Sequence, residues 1–533
     1  MKQTLFTNAL IHTGRSESEV FPAMLVEKGL VKALYSVEEA AAYRGKAKVV
    51  DLQGRHVYPC LIDAHVHMLL TIAVMAMGFN LCQITAGGVE PNTMKGVENR
   101  LRNYVSAQKQ DAVIACNNYI MTAIDEHRMP TREELDEWGG GRPVVIYNID
   151  GHSTSLSTKM LELVGISPEG HSGILQGEEN ERAQGRIIDT VSSMITLPVL
   201  ARGIAKFQNT CASYGISVVG ALEGNGDSPK DPTTGLIARL ARHFDVGVRL
   251  YLQYVDLERV KPYRKWMSRP RVGGCGDWEM DGSVGSHSAA FPIPFSDTGK
   301  TAPCYYTQDF VDQLVSAADK AGYQIASHAI GEAAVERILH ALEQLDSSHM
   351  HRIEHCEFIS EESFRTLCKG KYAVMMQPGY SWIDKRYLHT YEQYLPEELF
   401  RKMKLRSLYD AGVCVCGSSD SPVQDTDPYL QMLGMVQFYN EEESLSPYQA
   451  FRCYTANAAK SIEEENMLGT LEVGKAADFF TAELDFFTLS PQEIVDFRPL
   501  ETWYGGKKYR KKKGTVPELL AMLLKKPRKI ELI

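Results

Sequence analysis

Eight short apolar runs, each closing on a polar or glycine-containing loop, set the strongest limit on how this chain can fold. They are VYPCLIDAH (57–65), ISVVGALE (216–223), VGVRLYLQYV (246–255), CGDWEMDG (275–282), YQIASH (323–328), HRIEH (351–355), YAVMMQP (372–378) and GVCVCGSSD (412–420). Helical patterns such as TQDFVDQLVSAADKAG (307–322) and GEAAVERILHALEQL (331–345) separate them, with apolar residues three and four apart. Strands alternating with helices predict a parallel sheet covered by helices, and eight strands favour closure into a (β/α)8 TIM barrel. A doubly wound open sheet is the other arrangement this pattern allows.

The two ends have a different texture. Residues 1–55 and 469–484 carry short alternating segments, so the ends are expected to meet in one small composite sheet. This divides the chain into a first sheet part (1–55), a barrel (56–460) and a second sheet part with a basic tail (461–533). Residues 70–215 are too many for one crossover and contain strand-like runs of their own, AVIACNNYI and PVVIYNID. An insertion over the barrel mouth, shaping a substrate pocket, is the expectation.

Composition narrows the partners. The formal net charge is −10, from 57 basic and 67 acidic residues, which offers no general field for nucleic acid or anionic lipid. The basic run GGKKYRKKKG (505–514) is the local exception and reads as a solvated stretch. The longest apolar run, MLLTIAVMAMGF (68–79), is short for a membrane span and predicts a buried helix. Eleven scattered cysteines and a polar N-terminus point to a soluble protein of the reducing cytoplasm.

Successive strand residues face opposite sides, so His65 and His67 share a face with Asp63. Two imidazoles at a strand's C-terminal end make half of a tetrahedral site, although His-x-His alone is also a satisfied polar pair. His328 closes the fifth run, His355 the sixth, and Asp420 the eighth. In a barrel these ends face one mouth, and the resulting N/O donor set suits Zn²⁺. A divalent ion there lowers the pKa of bound water from about 15.7 towards 7, and Asp420 can pass the water's proton to a leaving nitrogen. Hydrolysis of an amide-like C–N bond is the expected chemistry.

The order His-x-His, His, His, Asp after strands one, five, six and eight resembles the metal-dependent amidohydrolase superfamily. DGHSTSLSTKML (150–161), DGSVGSHSAAF (281–291), HAIGEAAVERIL (328–339), RIEHCEF (352–358), MQPGY (376–380) and GSSDSPV (417–423) resemble its YtcJ-like (amidohydrolase 3) branch. YTANAAKSIEEENMLGTLEVGKAADF (454–479) is similar to the C-terminal signature that leads back into the small domain. The resemblance implies a (β/α)8 barrel, a composite β-sandwich and one or two divalent ions, usually zinc. It assigns His65, His67 and Asp420 to a buried metal, and His328 and His355 to a second metal or to water and substrate. It places His152 near the pocket.

Many relatives carry a lysine on strand four, four residues before the Asp-Gly pair. Here that position is Asp277, so Asp277 or Glu279 is expected to bridge two ions in its place, or else the site holds one ion. Arg352 reads first as a structural ion pair with Glu354, with a substrate contact as the other candidate role, and Tyr380 and Trp382 are candidates to line the pocket. Cys414 and Cys416 read as small core residues. The expected substrate is a small molecule: an N-substituted formamide, an N-acyl compound or a cyclic amide. The alternatives are a heterocycle deaminase with a mononuclear site and a non-catalytic, ligand-binding regulator. Family habit adds a homodimer.

Overall fold

The computed structural model describes residues 3–526 apart from 44, 86–87, 110–111, 194, 225, 227–230 and 268. Eight strands hydrogen-bond in chain order into one parallel sheet: Leu61–Val66 (β1), Ile216–Glu223 (β2), Gly247–Leu252 (β3), Arg271–Glu279 (β4), Gln324–Ala329 (β5), His351–His355 (β6), Tyr372–Met376 (β7) and Cys414–Gly417 (β8). Each of the eight apolar runs supplies one strand. The sheet closes on itself just beyond β8, where Val66 bridges Ser421, the Asp420 N–H donates to the His65 carbonyl (2.9 Å) and the His67 N–H donates to the Ser421 carbonyl (2.9 Å). The barrel expectation holds, and the open sheet does not.

Strand four starts earlier than the apolar run suggests, at Arg271, because three glycines conceal it. Gly273, Gly274 and Gly276 have φ of +95°, +115° and +61°, conformations that glycine adopts without penalty. Pairing with β5 jumps from Gly274↔Ser327 to Glu279↔His328, so the residues between them bulge out of the ladder. This bulge breaks the side-chain alternation that would set Asp277 and Glu279 on one face of a regular strand.

The helices at 307–322 and 331–345 form as the periodicity predicts, over Gln308–Lys320 capped by Thr307 and over Glu332–Glu343. The apolar stretch after β1 is the helix Met68–Met77, buried on the barrel. No single described helix is long and apolar enough to cross a membrane.

Both chain ends enter one eight-stranded sheet, in which Phe479–Ala482 pairs with the end of Lys48–Pro59. Lys48–Pro59 leads directly into β1, so the strand carrying the histidines is anchored in that sheet. The 70–215 segment builds its own five-stranded sheet, which includes both Ile114–Tyr119 and Val144–Asn148. The basic run is docked rather than loose. Its lysines are mostly exposed, but Asn209 accepts the Lys512 N–H (2.8 Å) and Lys512 pairs with Asp245.

A buried ion cluster joins the C-terminal signature to the underside of the barrel. Glu464 accepts two bonds from Arg249 on β3 (2.6 Å each) and one from Arg271 on β4 (3.1 Å). Both arginine side chains are almost entirely buried. Removing the carboxylate leaves two guanidinium groups uncompensated, and Glu464→Gln is expected to lower unfolding stability by about 3–5 kcal/mol. Urea denaturation of the two proteins measures it.

Candidate metal centre

The barrel seam brings the ends of β1 and β8 together, and the site is built on it. His65 is fully buried, and its Nδ1 lies 2.6 Å from the Glu354 carboxylate of β6. A carboxylate only accepts, so Nδ1 carries the proton and the Nε2 lone pair is left pointing the other way. There it meets Asp420: Oδ1 stands 3.0 Å from His65 Nε2 and 3.2 Å from His67 Nε2. Asp420 Oδ1 is nonetheless without a hydrogen bond. Donor atoms facing one another without hydrogen-bond geometry are what a shared cation requires.

The other histidines continue the cluster. Ring centroids run His67 to His65 at 5.6 Å, His65 to His355 at 5.1 Å, His355 to His328 at 4.3 Å and His328 to His152 at 5.2 Å. His355 Nδ1 bonds Gln377 Oε1 (2.8 Å), which frees Nε2 towards the mouth. His355 and Asp420 both hold left-handed backbone, with φ of +67° and +55°. Such strain in a residue other than glycine costs about 1–3 kcal/mol and here serves to aim side chains at the strand ends.

The seam and the loops hold these groups in place. Asp63 Oδ1 accepts the Ser419 N–H (3.0 Å), and Asp281 accepts N–H bonds from Ala290, Ile330 and Gly331 (2.8–2.9 Å). His152 enters from the insertion with its Nδ1 2.8 Å from Glu181. Asp150 beside it accepts bonds from Ser283 and Ser286 (2.7 Å each), so the DGHS and DGSVGS motifs meet.

The electrostatics are those of a site short of positive charge. Burial pushes His328 down to about 3, helped by His152, and holds His355 well below its usual range, so both stay neutral. Burial, with Glu181 adjacent, raises Glu279 far above the carboxylate range. Burial opposes charge on both His65 and Asp420, yet the Asp420 and Glu354 carboxylates raise His65 to about 9 and His65 and His67 in turn hold Asp420 well below its usual range, so a cation at this point, proton or metal, is favoured. Unpartnered buried atoms remain on His328 (both nitrogens), His355 Nε2, Asp420 Oδ1 and Glu279 Oε2. Each such atom costs about 1–3 kcal/mol unless something binds it. The donor set, imidazole and carboxylate at a dry strand end, fits a divalent metal ion.

Three expectations change. Asp277 does not join the histidines: its carboxylate packs on Gly226, where an added Cβ would come within 1.9 Å of it. Arg352 makes no substrate contact, because it lies fully buried beneath the site. It donates two bonds to Glu354 (2.8 and 2.9 Å) and one to the Ala64 carbonyl (2.8 Å). Trp382 packs with Arg386 over its face at 4.2 Å, its indole N–H donating to Gln437 (3.0 Å), and it does not line the cavity. Tyr380 does line it. Sequence reasoning missed Glu181 and Gln377, which bond the histidines; Gln377 directly follows strand seven, a position that could have revealed it, whereas Glu181 lies on a helix of the insertion with no such signal.

Two adjoining cavities of about 700 and 720 Å³ open over the cluster and share Asp150, His152, His355 and Asp420. One has an apolar side of Ile330, Met376, Tyr380, Tyr391, Met403 and Phe438. The other is polar, with Glu181, Asp277 and Glu279. Among the described residues neither is lined by a lysine or an arginine.

With this barrel and this cluster, the chain belongs to the amidohydrolase family, whose sequence profile matches residues 48–508. It is 22% identical over 520 residues to the putative amidohydrolase YtcJ of Bacillus subtilis, covering 92% of this chain and 96% of the relative. It is 23% identical to the N-substituted formamide deformylase of Arthrobacter pascens, over 95% of this chain and 98% of that one. A solved structure described as an uncharacterized metal-dependent hydrolase from Pyrococcus horikoshii has the same fold, with a TM-score of 0.72. It is 19% identical, and the match covers 92% of this chain and 99% of that one.

Glu354 orients His65, and its loss is felt at the metal. Glu354→Gln is expected to weaken divalent-metal affinity about 10- to 100-fold, read by competition with a chelating dye. A second carboxyl reports on pH. Burial raises Glu223, at the end of β2, from 4.5 to about 8 while it accepts the Leu69 N–H. The folded state thus binds more protons than the unfolded one between pH 4.5 and 8, and stability from this group falls as pH rises through that window. Glu223→Gln keeps the acceptor and is expected to flatten that slope in denaturant titrations across the window.

Proposed function

We propose that the protein is a hydrolase of amide-like C–N bonds in small neutral molecules, N-substituted formamides and N-acyl amines foremost. The observation that carries this reading is the convergence of His65, His67 and Asp420 at the barrel seam with Asp420 Oδ1 unpartnered. In this reading they hold a divalent ion, zinc by the nature of the donors. His328 and His355 present neutral imidazoles to a second ion or to the substrate carbonyl. When bound, such an ion lowers the pKa of a coordinated water from about 15.7 towards 7 and polarises a carbonyl.

The chain's own groups do the rest. Asp420, kept ionised by its histidines, takes a proton from the attacking water and delivers it to the leaving nitrogen. Tyr380, Tyr391, Met403 and Phe438 offer an apolar wall for an N-substituent. A substrate carrying a carboxylate would find no described cation in the lining and several acidic groups, which favours neutral or cationic molecules. The formamide deformylase relative supports the same class. Eleven free cysteines suit a reducing cytoplasm.

The test is turnover by zinc-loaded protein of three panels: N-substituted formamides and N-acyl amines, N-acyl amino acids, and amino-heterocycles. Release of formate or free acid is expected from the first panel and little from the second. Asp420→Asn is expected to lower kcat about 10²- to 10⁴-fold. Ammonia released from the third panel without ring opening, and nothing from the first, would overturn the reading.

A further inference from the structure

We infer that Cys275, on the strand-four bulge, coordinates the metal as a thiolate beside His65 and His67. This rests on the metal reading above and assigns it a sulfur donor. Cys275 Sγ lies 3.7 Å from His65 Nε2, and the ligand atoms of His65, His67 and Cys275 all lie within 4.8 Å of one another. Zinc bonds of about 2.05 Å to nitrogen and 2.3 Å to sulfur at a tetrahedral angle set the two donors about 3.6 Å apart. The observed separation matches.

The backbone is shaped to present this side chain. Gly273, Gly274 and Gly276, all with positive φ, surround Cys275. A Cβ at Gly273 would stand 1.8 Å from the Ala326 carbonyl oxygen, and one at Gly274 would stand 2.7 Å from the Leu222 side chain. Gln253 fixes the bulge from β3's end, accepting the Cys275 N–H (3.1 Å) and donating to the Gly224 carbonyl (3.0 Å). Bulges beside active sites re-aim side chains, and this one turns a thiol towards the histidines while turning Asp277 onto Gly226. The unpartnered Asp420 Oδ1 faces the same histidines.

Coordination releases the thiol proton to solvent as the sulfur–metal bond forms, so no oxidant or reductant takes part. His65, His67 and Cys275 would supply three protein donors, with Asp420 against the same two histidines, which would leave room for a water as in catalytic zinc sites.

The experiment replaces zinc with Co²⁺ in the full-length protein and records its absorption. Visible d–d bands report that cobalt is bound, and a near-ultraviolet thiolate-to-cobalt charge-transfer band reports sulfur. Both are expected in the wild type. In Cys275→Ser the charge-transfer band is expected to vanish while weaker d–d bands persist at higher cobalt concentration. Visible bands without charge transfer in the wild type, which needs no variant to fold, would overturn the thiolate and leave the metal centre standing. Charge transfer that survives in Cys275→Ser would overturn it as well. No cobalt spectrum at all would overturn the metal centre and the thiolate together.

Discussion

The closure of the barrel is the constraint on which the site depends. Two main-chain hydrogen bonds, Asp420 to His65 and His67 to Ser421, and one from Ser419 to the Asp63 carboxylate join the first strand to the turn after the last. These bonds do two things at once. They satisfy backbone groups that would otherwise be stranded at a sheet edge. They also set the carboxylate of Asp420 against two imidazoles at a separation that side-chain flexibility alone would not hold. A doubly wound sheet of the same strands would leave β1 and β8 free to lie far apart.

Beneath the seam a second line of groups fixes the charge. Arg352 forks onto Glu354, and Glu354 bonds His65, all three fully buried. A buried pair is no net source of stability when compared with apolar packing, because desolvation cancels much of the attraction. Its value here is orientation: it sets which nitrogen of His65 carries the proton and therefore which one faces the mouth. Gln377 does the same for His355 without adding charge. The site keeps its upper atoms unpaired, while the atoms below that set the orientation of His65 and His355 are paired.

The parts of this architecture that repeat with a fixed period were legible in the sequence. Eight apolar runs became eight strands, and the strand-end positions of His65, His328, His355 and Asp420 brought them into one cluster. The misreadings share a cause, which is that the period fails. Asp277 was expected to bridge ions from strand four, but glycines at positive φ break the strand's alternation between Gly274 and Glu279. Arg352 was kept as a candidate substrate contact because it stands near His355, but the ion pair with Glu354 is the role it takes, buried beneath the site. Trp382 follows β7 as Tyr380 does, yet a helix starting at Pro378 rotates the two side chains apart. Glu181 reaches His152 through the insertion's own sheet and helix, a tertiary contact that no local pattern encodes.

The seam also carries a consequence for how the protein is made. Its partners stand 356 residues apart, measured from Asp63 to Ser419, so nearly every barrel element leaves the ribosome before the first strand has its second neighbour. Until then β1 has one open edge, and Asp420 is not yet opposite its two histidines. Contacts of such separation close late and slowly, and transiently unpaired edges are prone to wrong partners. The strand Lys48–Pro59 waits longer still, for Phe479–Ala482. The centre that does the chemistry is among the last features of the molecule to exist.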